Sequence, residues 1–346
     1  MDVRIVGGAG TAEAEETVLD LAPTRGRAED HRTSVTRPPD FDAFWSAIET
    51  DLQAIPLQPT MTKIPHRSTA EVEVFEIGYT SLDDVHIAGW YCRPRNSWLP
   101  GPYPGLSIVP GYVSEPTLPK SWARLGYAAI GVAPRGKLRS NAQFNPGYPG
   151  LLIHNIVDRN TYSYRGFYAD AARAIDFLLT RPEIAHDRVG VHGSSQGGAL
   201  TITTAALRAD HIACGAAGAP YLTGFLDCTR LTHSYPYEEI NEYLRLYPDR
   251  EGHVRQTLEY FDCINFAPLV KAPILIYAGL ADDVCPPETA FDLVKALPGE
   301  VEIHAYPRCG HDAGISWEMP AVEAFLAKHL KPATADLDVH AQATVG

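Results

Sequence analysis

Apolar residues along the chain follow two periods, and the switches between them predict the layout. Phe41, Phe44, Trp45, Ile48 and Leu52 recur at helical spacing behind Pro39 and Asp40, residues suited to a helix start, so this helix is expected to pack on the main body. Val72, Val74 and Ile77 follow strand periodicity, and His86–Cys92 reads as a second strand after the turn-like Ser81–Asp84; so close a connection makes the two antiparallel neighbours. From about residue 103 strand and helix patterns alternate. Leu106–Val109 is a strand, a helix through Trp122 and Leu125 follows, and Tyr127–Val132 is the next strand. Phe167, Ala171, Ala174, Ile175 and Leu178 mark one face of a helix leading to the strand Arg188–His192. Ile212–Ala216, Pro273–Ala278 and Val301–Tyr306 are further strands, and a helix near Met319–Leu330 closes the pattern. Such alternation predicts an α/β fold, a mostly parallel central sheet with helices on both faces.

Four stretches depart from it. Residues 1–37 mix small, acidic and basic residues with little apolar periodicity and are expected to form a mobile or loosely docked arm, as residues 333–346 are expected to form a disordered tail. That leaves 38–332 as a single domain. The Gly-, Pro- and Asn-rich loop from Pro134 to about Thr161 has a length typical of functional or disordered loops. Residues 220–265 carry the helix-like segments Pro236–Ile240 and Thr257–Phe261. An insertion here sits over the carboxyl edge of the sheet, where open α/β folds bind ligands, and reads as a small helical cap, with a structural extension as the alternative.

Composition narrows the partner. Apolar and charged contents of 45% and 21% are those of an ordinary globular protein, and 346 residues can bury a substantial core. The net charge of -13 argues against nucleic acid and anionic membranes, leaving a small molecule as the expected partner. The 6 cysteines show no Cys-x-x-Cys spacing and read as free thiols. No spacing of histidines or carboxylates indicates a metal, and no cofactor motif is present, so neither is expected. The first residues lack the apolar run of a secretory signal and no later run approaches a membrane span; the expected location is the cytoplasm.

The chemistry centres on Gly193-Ser194-Ser195-Gln196-Gly197, placed between the strand containing Val189 and Val191 and the helical Ala199–Ile202. In a Gly-x-Ser-x-Gly nucleophile elbow the serine occupies a strained strand-to-helix corner that projects its hydroxyl outward. Serine needs an adjacent base, and the base an orienting carboxylate. Asp282 follows the strand ending at Ala278 and His311 follows the strand ending at Tyr306, so both lie at the sheet edge that carries Ser195. Asp283 is the rival orienter; His192 and His304 lie inside strands and read as packed core residues. Acyl transfer also needs donors for the developing oxyanion: the backbone N–H of Gln196 is one, and the second is expected from Pro110-Gly111-Tyr112, where Pro110 has no N–H and Tyr112 is chosen, an ordinary turn being the alternative.

These residues and their surroundings resemble the cephalosporin C deacetylase and acetyl xylan esterase family (carbohydrate esterase family 7) of α/β-hydrolases. The resemblance runs from Arg37–Trp45 to the final helix through Ile87–Trp90, Arg135-Gly136, the elbow, His233–Ile240, Tyr260–Asp262, Gly279–Asp282 and Cys285–Pro287. It implies a nucleophile at Ser195, an acid at Asp282, a base at His311 and oxyanion donors at Tyr112 and Gln196. It further implies metal-independent removal of small acyl groups, chiefly acetyl, from sugars or antibiotics, and ring-like homo-oligomers. Four positions depart from the family pattern. Pro110 stands for a usual His, Lys137 for Gln in Arg-Gly-Gln, Asp312 for Glu, and Leu152–Ile156 for a Met- and Thr-rich segment. Pro110, Arg135, Lys137 and Asp312 are thereby expected on the substrate side of the site, with an Arg135–Asp312 ion pair rearranged by the shorter acid. Because these positions differ, a tailoring hydrolase or acyltransferase on a larger ester, lactone or thioester is the second reading. A binding protein retaining the fold is the third.

Overall fold

The computed structural model describes residues 2–4 and 22–334. At its centre lies a ten-stranded sheet made of β1 (Asp2–Arg4), β2 (Thr60–Lys63), β3 (Val72–Thr80), β4 (His86–Pro94), β5 (Tyr103–Ile108), β6 (Ala128–Ala133), β7 (Ile184–Ser194), β8 (Ile212–Gly218), β9 (Ile274–Gly279) and β10 (Val301–Tyr306). The strand order is β1-β10-β9-β8-β7-β5-β6-β4-β3-β2. Pairs from β1 through β6 are parallel, while β6–β4, β4–β3 and β3–β2 are antiparallel. The helices are α1 (Ala22–Asp30), α2 (Phe41–Ala54), α3 (Lys120–Arg124), α4 (Ser163–Leu179), α5 (Gln196–Leu207), α6 (Phe225–Leu231), α7 (Glu238–Leu246), α8 (Glu251–Glu259), α9 (Cys263–Phe266), α10 (Pro287–Ala296) and α11 (Ile315–Leu330).

Strand alternation explains the layers. In β7 and β8, Gly190 pairs with Cys214 and Val191 with Gly215, so the two pairs face opposite sides of the sheet. A Cβ on Gly190 would lie 2.7 Å from Leu330 of α11, and one on Gly215 3.1 Å from Thr201 of α5. Helices α11 and α5 therefore cover opposite faces at van der Waals contact, as the alternating pattern predicts. The elbow strand is longer than its apolar segment, running from Ile184. The four residues of β2 show no buried position, which is why an apolar pattern could not reveal this edge strand.

Phe41, Trp45, Ile48 and Leu52 of α2 are buried as their spacing predicts, and the Trp45 indole donates to the carbonyl of Tyr260 at 2.8 Å. Residues 1 and 5–21 of the expected arm and 335–346 of the expected tail lie outside the described residues. Residues 26–37 are fastened rather than free. His31 Nδ1 lies 2.5 Å from Asp292 of α10, Arg27 pairs with Glu288 at 2.8 Å, and Thr33 and Ser34 donate to Asp227 of α6. Polar docking of this kind has no apolar period to betray it. Among the described residues no helix is long and apolar enough to cross a membrane.

Candidate active site

Because β5 through β10 run parallel, the loops after β5, β6, β7, β9 and β10 open at one edge of the sheet. Those loops carry Tyr112, Lys137, Ser195, Asp282 and His311. Ser195 stands at the start of α5 with φ 61 and ψ -121, a strained backbone for a residue with a side chain. Its neighbours explain why glycines flank it. A Cβ on Gly193 would lie 2.6 Å from the carbonyl oxygen of Val109, and one on Gly197 2.4 Å from the same atom. The end of β5 and the elbow can touch only if both positions lack side chains.

Ser195 Oγ lies 3.0 Å from His311 Nε2, and His311 Nδ1 lies 3.0 and 3.2 Å from the two carboxylate oxygens of Asp282. Asp282 is buried and also accepts the backbone N–H groups of Val284 at 2.8 Å and Cys285 at 2.9 Å. Those bonds fix the carboxylate. The Asp282 carboxylate accepts a hydrogen bond from Nδ1–H, which leaves Nε2 as the acceptor for the serine hydroxyl. The side chain of His311 is 32% exposed, so the imidazole is reachable from solvent. The geometry can thus move a proton off Ser195 toward the imidazole.

The rival residues are occupied elsewhere. Asp283 is exposed, and its carbonyl accepts from Thr232. His192 is buried with Nδ1 3.1 Å from the carbonyl of Ala216, and burial lowers its pKa. His304 lies between Glu318 and Glu302; burial opposes its charge, but hydrogen bonds to both carboxylates prevail and raise its pKa.

Among the described residues, the N–H groups of Tyr112 and Gln196 donate to no other group. The phenol of Tyr112 donates to Glu239 of α7 at 2.7 Å and accepts the N–H of Leu152 at 3.1 Å, and the second Glu239 oxygen accepts the N–H of Gly150 at 2.8 Å. Burial raises the pKa of Glu239, with the bonds from Tyr112 and Gly150 opposing it. These contacts join the loop after β5, the long 134–161 loop and the α6–α9 segment into one wall, which sequence spacing could not reveal.

Of the positions expected on the substrate side, the two cations bond protein acceptors. Arg135 is buried and bonds Asp170 at 2.8 and 2.9 Å, the carbonyl of Leu82 at 2.7 Å and Asp83 at 3.2 Å. Lys137, 1% exposed, donates to the carbonyls of Gly111, at 2.7 Å, and Tyr112. Both cations spend their donors on protein acceptors, so they support loops instead of presenting charge to a ligand. Asp312 is exposed and accepts from the backbone N–H groups of Gly310 and Gly314; Arg135 pairs with Asp170 and Asp83 in place of an Arg135–Asp312 bridge. Pro110 is buried at the turn after β5. Among the described residues, ligand atoms of Asp282, Cys285 and His311 lie within 4.8 Å of one another, the spacing of a metal cluster, but the carboxylate and imidazole already bond each other and Ser195.

Among curated proteins, the acetyl esterase Axe7A of Xylanibacter ruminicola is 28% identical over 269 residues, 73% of this chain; the chain spans only 59% of that relative's length. The solved acetyl xylan esterase from Paenibacillus sp. R4 is 30% identical and superposes with a TM-score of 0.83 over 88% of this chain and 99% of its own. Acetyl xylan esterase 1 from Thermoanaerobacterium sp. JW/SL YS485, at 24% identity and a TM-score of 0.79 over 87% of this chain and 98% of its own, bears on the fold, that of an α/β-hydrolase. A family-wide sequence model described as acetyl xylan esterase matches residues 20–329, and the chain accordingly belongs to the acetyl xylan esterase family.

Proposed function

We propose that the protein is a serine esterase that removes acetyl and similarly small acyl groups from hydroxyls of sugars or sugar-like alcohols, antibiotics among them. The observation that carries the reading is the hydrogen-bonded row Ser195–His311–Asp282 in a member of this family. His311 Nε2 takes the proton of Ser195 as Oγ attacks the ester carbonyl. The N–H groups of Tyr112 and Gln196 hold the oxyanion of the tetrahedral intermediate. Collapse expels the alcohol, which takes the proton from His311; water then repeats the sequence on the acyl-enzyme and releases the acid. Asp282 holds the tautomer and stabilises the imidazolium.

In this reading residues 38–332 form one hydrolase domain, with 220–265 as its cap. The protein works in the cytoplasm as a homo-oligomer, which sedimentation velocity would test. Ser195→Ala should reduce hydrolysis of p-nitrophenyl acetate by roughly three orders of magnitude or more and abolish labelling by a fluorophosphonate. Wild-type turnover by that variant would remove Ser195 from the mechanism.

A further inference from the structure

A trans peptide unit is rigid, and its C=O and N–H point in opposite directions. The carbonyl of Gly111 and the N–H of Tyr112 belong to the same unit, and that bond is not among the cis peptides of the chain's described residues. Whatever holds the Gly111 oxygen therefore aims the Tyr112 N–H. Two donors hold it: Lys137 Nζ at 2.7 Å and the Gln196 side-chain amide at 3.3 Å, the latter anchored because its oxygen accepts the Tyr164 phenol at 2.8 Å. Lys137 also donates to the Tyr112 carbonyl, so the ammonium grips the residue on both sides.

We propose that Lys137 is a positioning residue whose charged amine clamps the Gly111–Tyr112 peptide, aiming and polarising the Tyr112 N–H as an oxyanion donor. The proposal rests on the reading of Tyr112 as an oxyanion donor. A charge-assisted bond to a carbonyl is about twice as strong as a neutral one. Bonds in series polarise each other, so an amide whose oxygen accepts from an ammonium donates more strongly through its nitrogen. A glutamine in this place would offer the bond without the charge.

The surroundings make the charge conditional. Lys137 is buried, with Nζ 4.7 Å from the centre of the Tyr148 ring on the 134–161 loop. Glu115, on the segment after Tyr112, favours its charge; Glu239 of α7 is reached only through the Tyr112 phenol. Burial outweighs Glu115 and lowers the Lys137 pKa to about 8. Above that pH the amine keeps N–H donors and loses its charge, so turnover should decline as pH rises through about 8.

The test compares Lys137→Met and Lys137→Gln with the wild type on p-nitrophenyl acetate. It adds the affinity of methylboronic acid, whose Ser195 adduct puts an oxygen where the oxyanion forms. Lys137→Met should lower kcat about 10- to 100-fold, up to the cost of one lost oxyanion donor, with KM within about twofold. Boronate affinity should fall by a similar factor. Lys137→Gln should recover part of kcat and lack the alkaline decline. Wild-type kcat and boronate affinity in Lys137→Met would overturn the proposal. So would an unchanged alkaline limb in Lys137→Gln, which decides the matter if the methionine variant fails to fold. Ser195→Ala run beside them separates the two readings: if it is inactive while the Lys137 variants behave as wild type, only the clamp fails; if it is active, the esterase mechanism fails first.

Discussion

At the residue scale the tightest constraint is steric. The Val109 carbonyl lies where the side chains of residues 193 and 197 would begin, so Gly197→Ala must push the end of β5 and the Tyr112 loop away from Ser195. Overpacking of this sort costs about 1–3 kcal/mol of stability. The larger effect falls on turnover, because a displacement of about 1 Å in a catalytic constellation can cost on the order of 100-fold. A Gly197→Ala enzyme with kcat within twofold of wild type, measured on p-nitrophenyl acetate, would show that the contact is slack. The pairing of residues around Ser195 was legible in the sequence because each sits in a loop just after an apolar strand, and parallel strands bring such loops together. Lys137 was legible only as a cation near the site. Its partners are backbone carbonyls 25 and 26 residues away, and carbonyls leave no mark on a sequence.

At the scale of elements, the segment from α6 to α9 is held by a buried carboxylate as well as by core side chains such as Phe225, Ile240, Val254 and Phe261. Asp262 caps α9 by accepting the N–H of Ile264 at 3.0 Å and reaches back to the N–H groups of Gly224 at 3.0 Å and Phe225 at 2.9 Å, where α6 begins. One carboxylate thus ties the two ends of the segment. Burial raises its pKa to about 7 against the pull of those three N–H groups. A folded pKa above the unfolded one means that the native state holds the proton more tightly. The associated stability is full below about pH 4, the unfolded range, and is lost as pH rises through about 7. In urea denaturation the wild type should therefore lose more stability between pH 5 and pH 8 than Asp262→Asn does; equal losses would place the proton elsewhere. The sequence exposed these helices as Tyr- and Glu-rich segments but not their tie, since a capping Asp looks like any other until its N–H partners are known.

At the scale of the molecule, the stretch before α2 behaves as a strap. Residues 26–37 lie along α10 and α6, and Asp227, 5% exposed, accepts from Thr33 Oγ1 at 2.7 Å, the Ser34 N–H at 2.9 Å and Ser34 Oγ at 2.5 Å. Asp227→Ala strands those donors and should cost about 1–3 kcal/mol, a drop of a few degrees in Tm by calorimetry. An unchanged Tm would mean that the strap contributes nothing to the fold. Its low apolar content made it read as a mobile or loosely docked arm, because periodicity detects burial of side-chain faces and is blind to the particular polar partners that fasten it. The main sheet, by contrast, was legible nearly strand for strand, as its strands are apolar on both faces. The edge that gathers the site has a temporal consequence. Its parts come from residues 111, 137, 195, 239, 282 and 311, so the loops close only when distant segments have met. Of these parts His311 is the last to emerge during synthesis, and in the proposed mechanism a nascent chain is inert until β10 has docked on β9 and brought His311 to a serine made more than a hundred residues earlier.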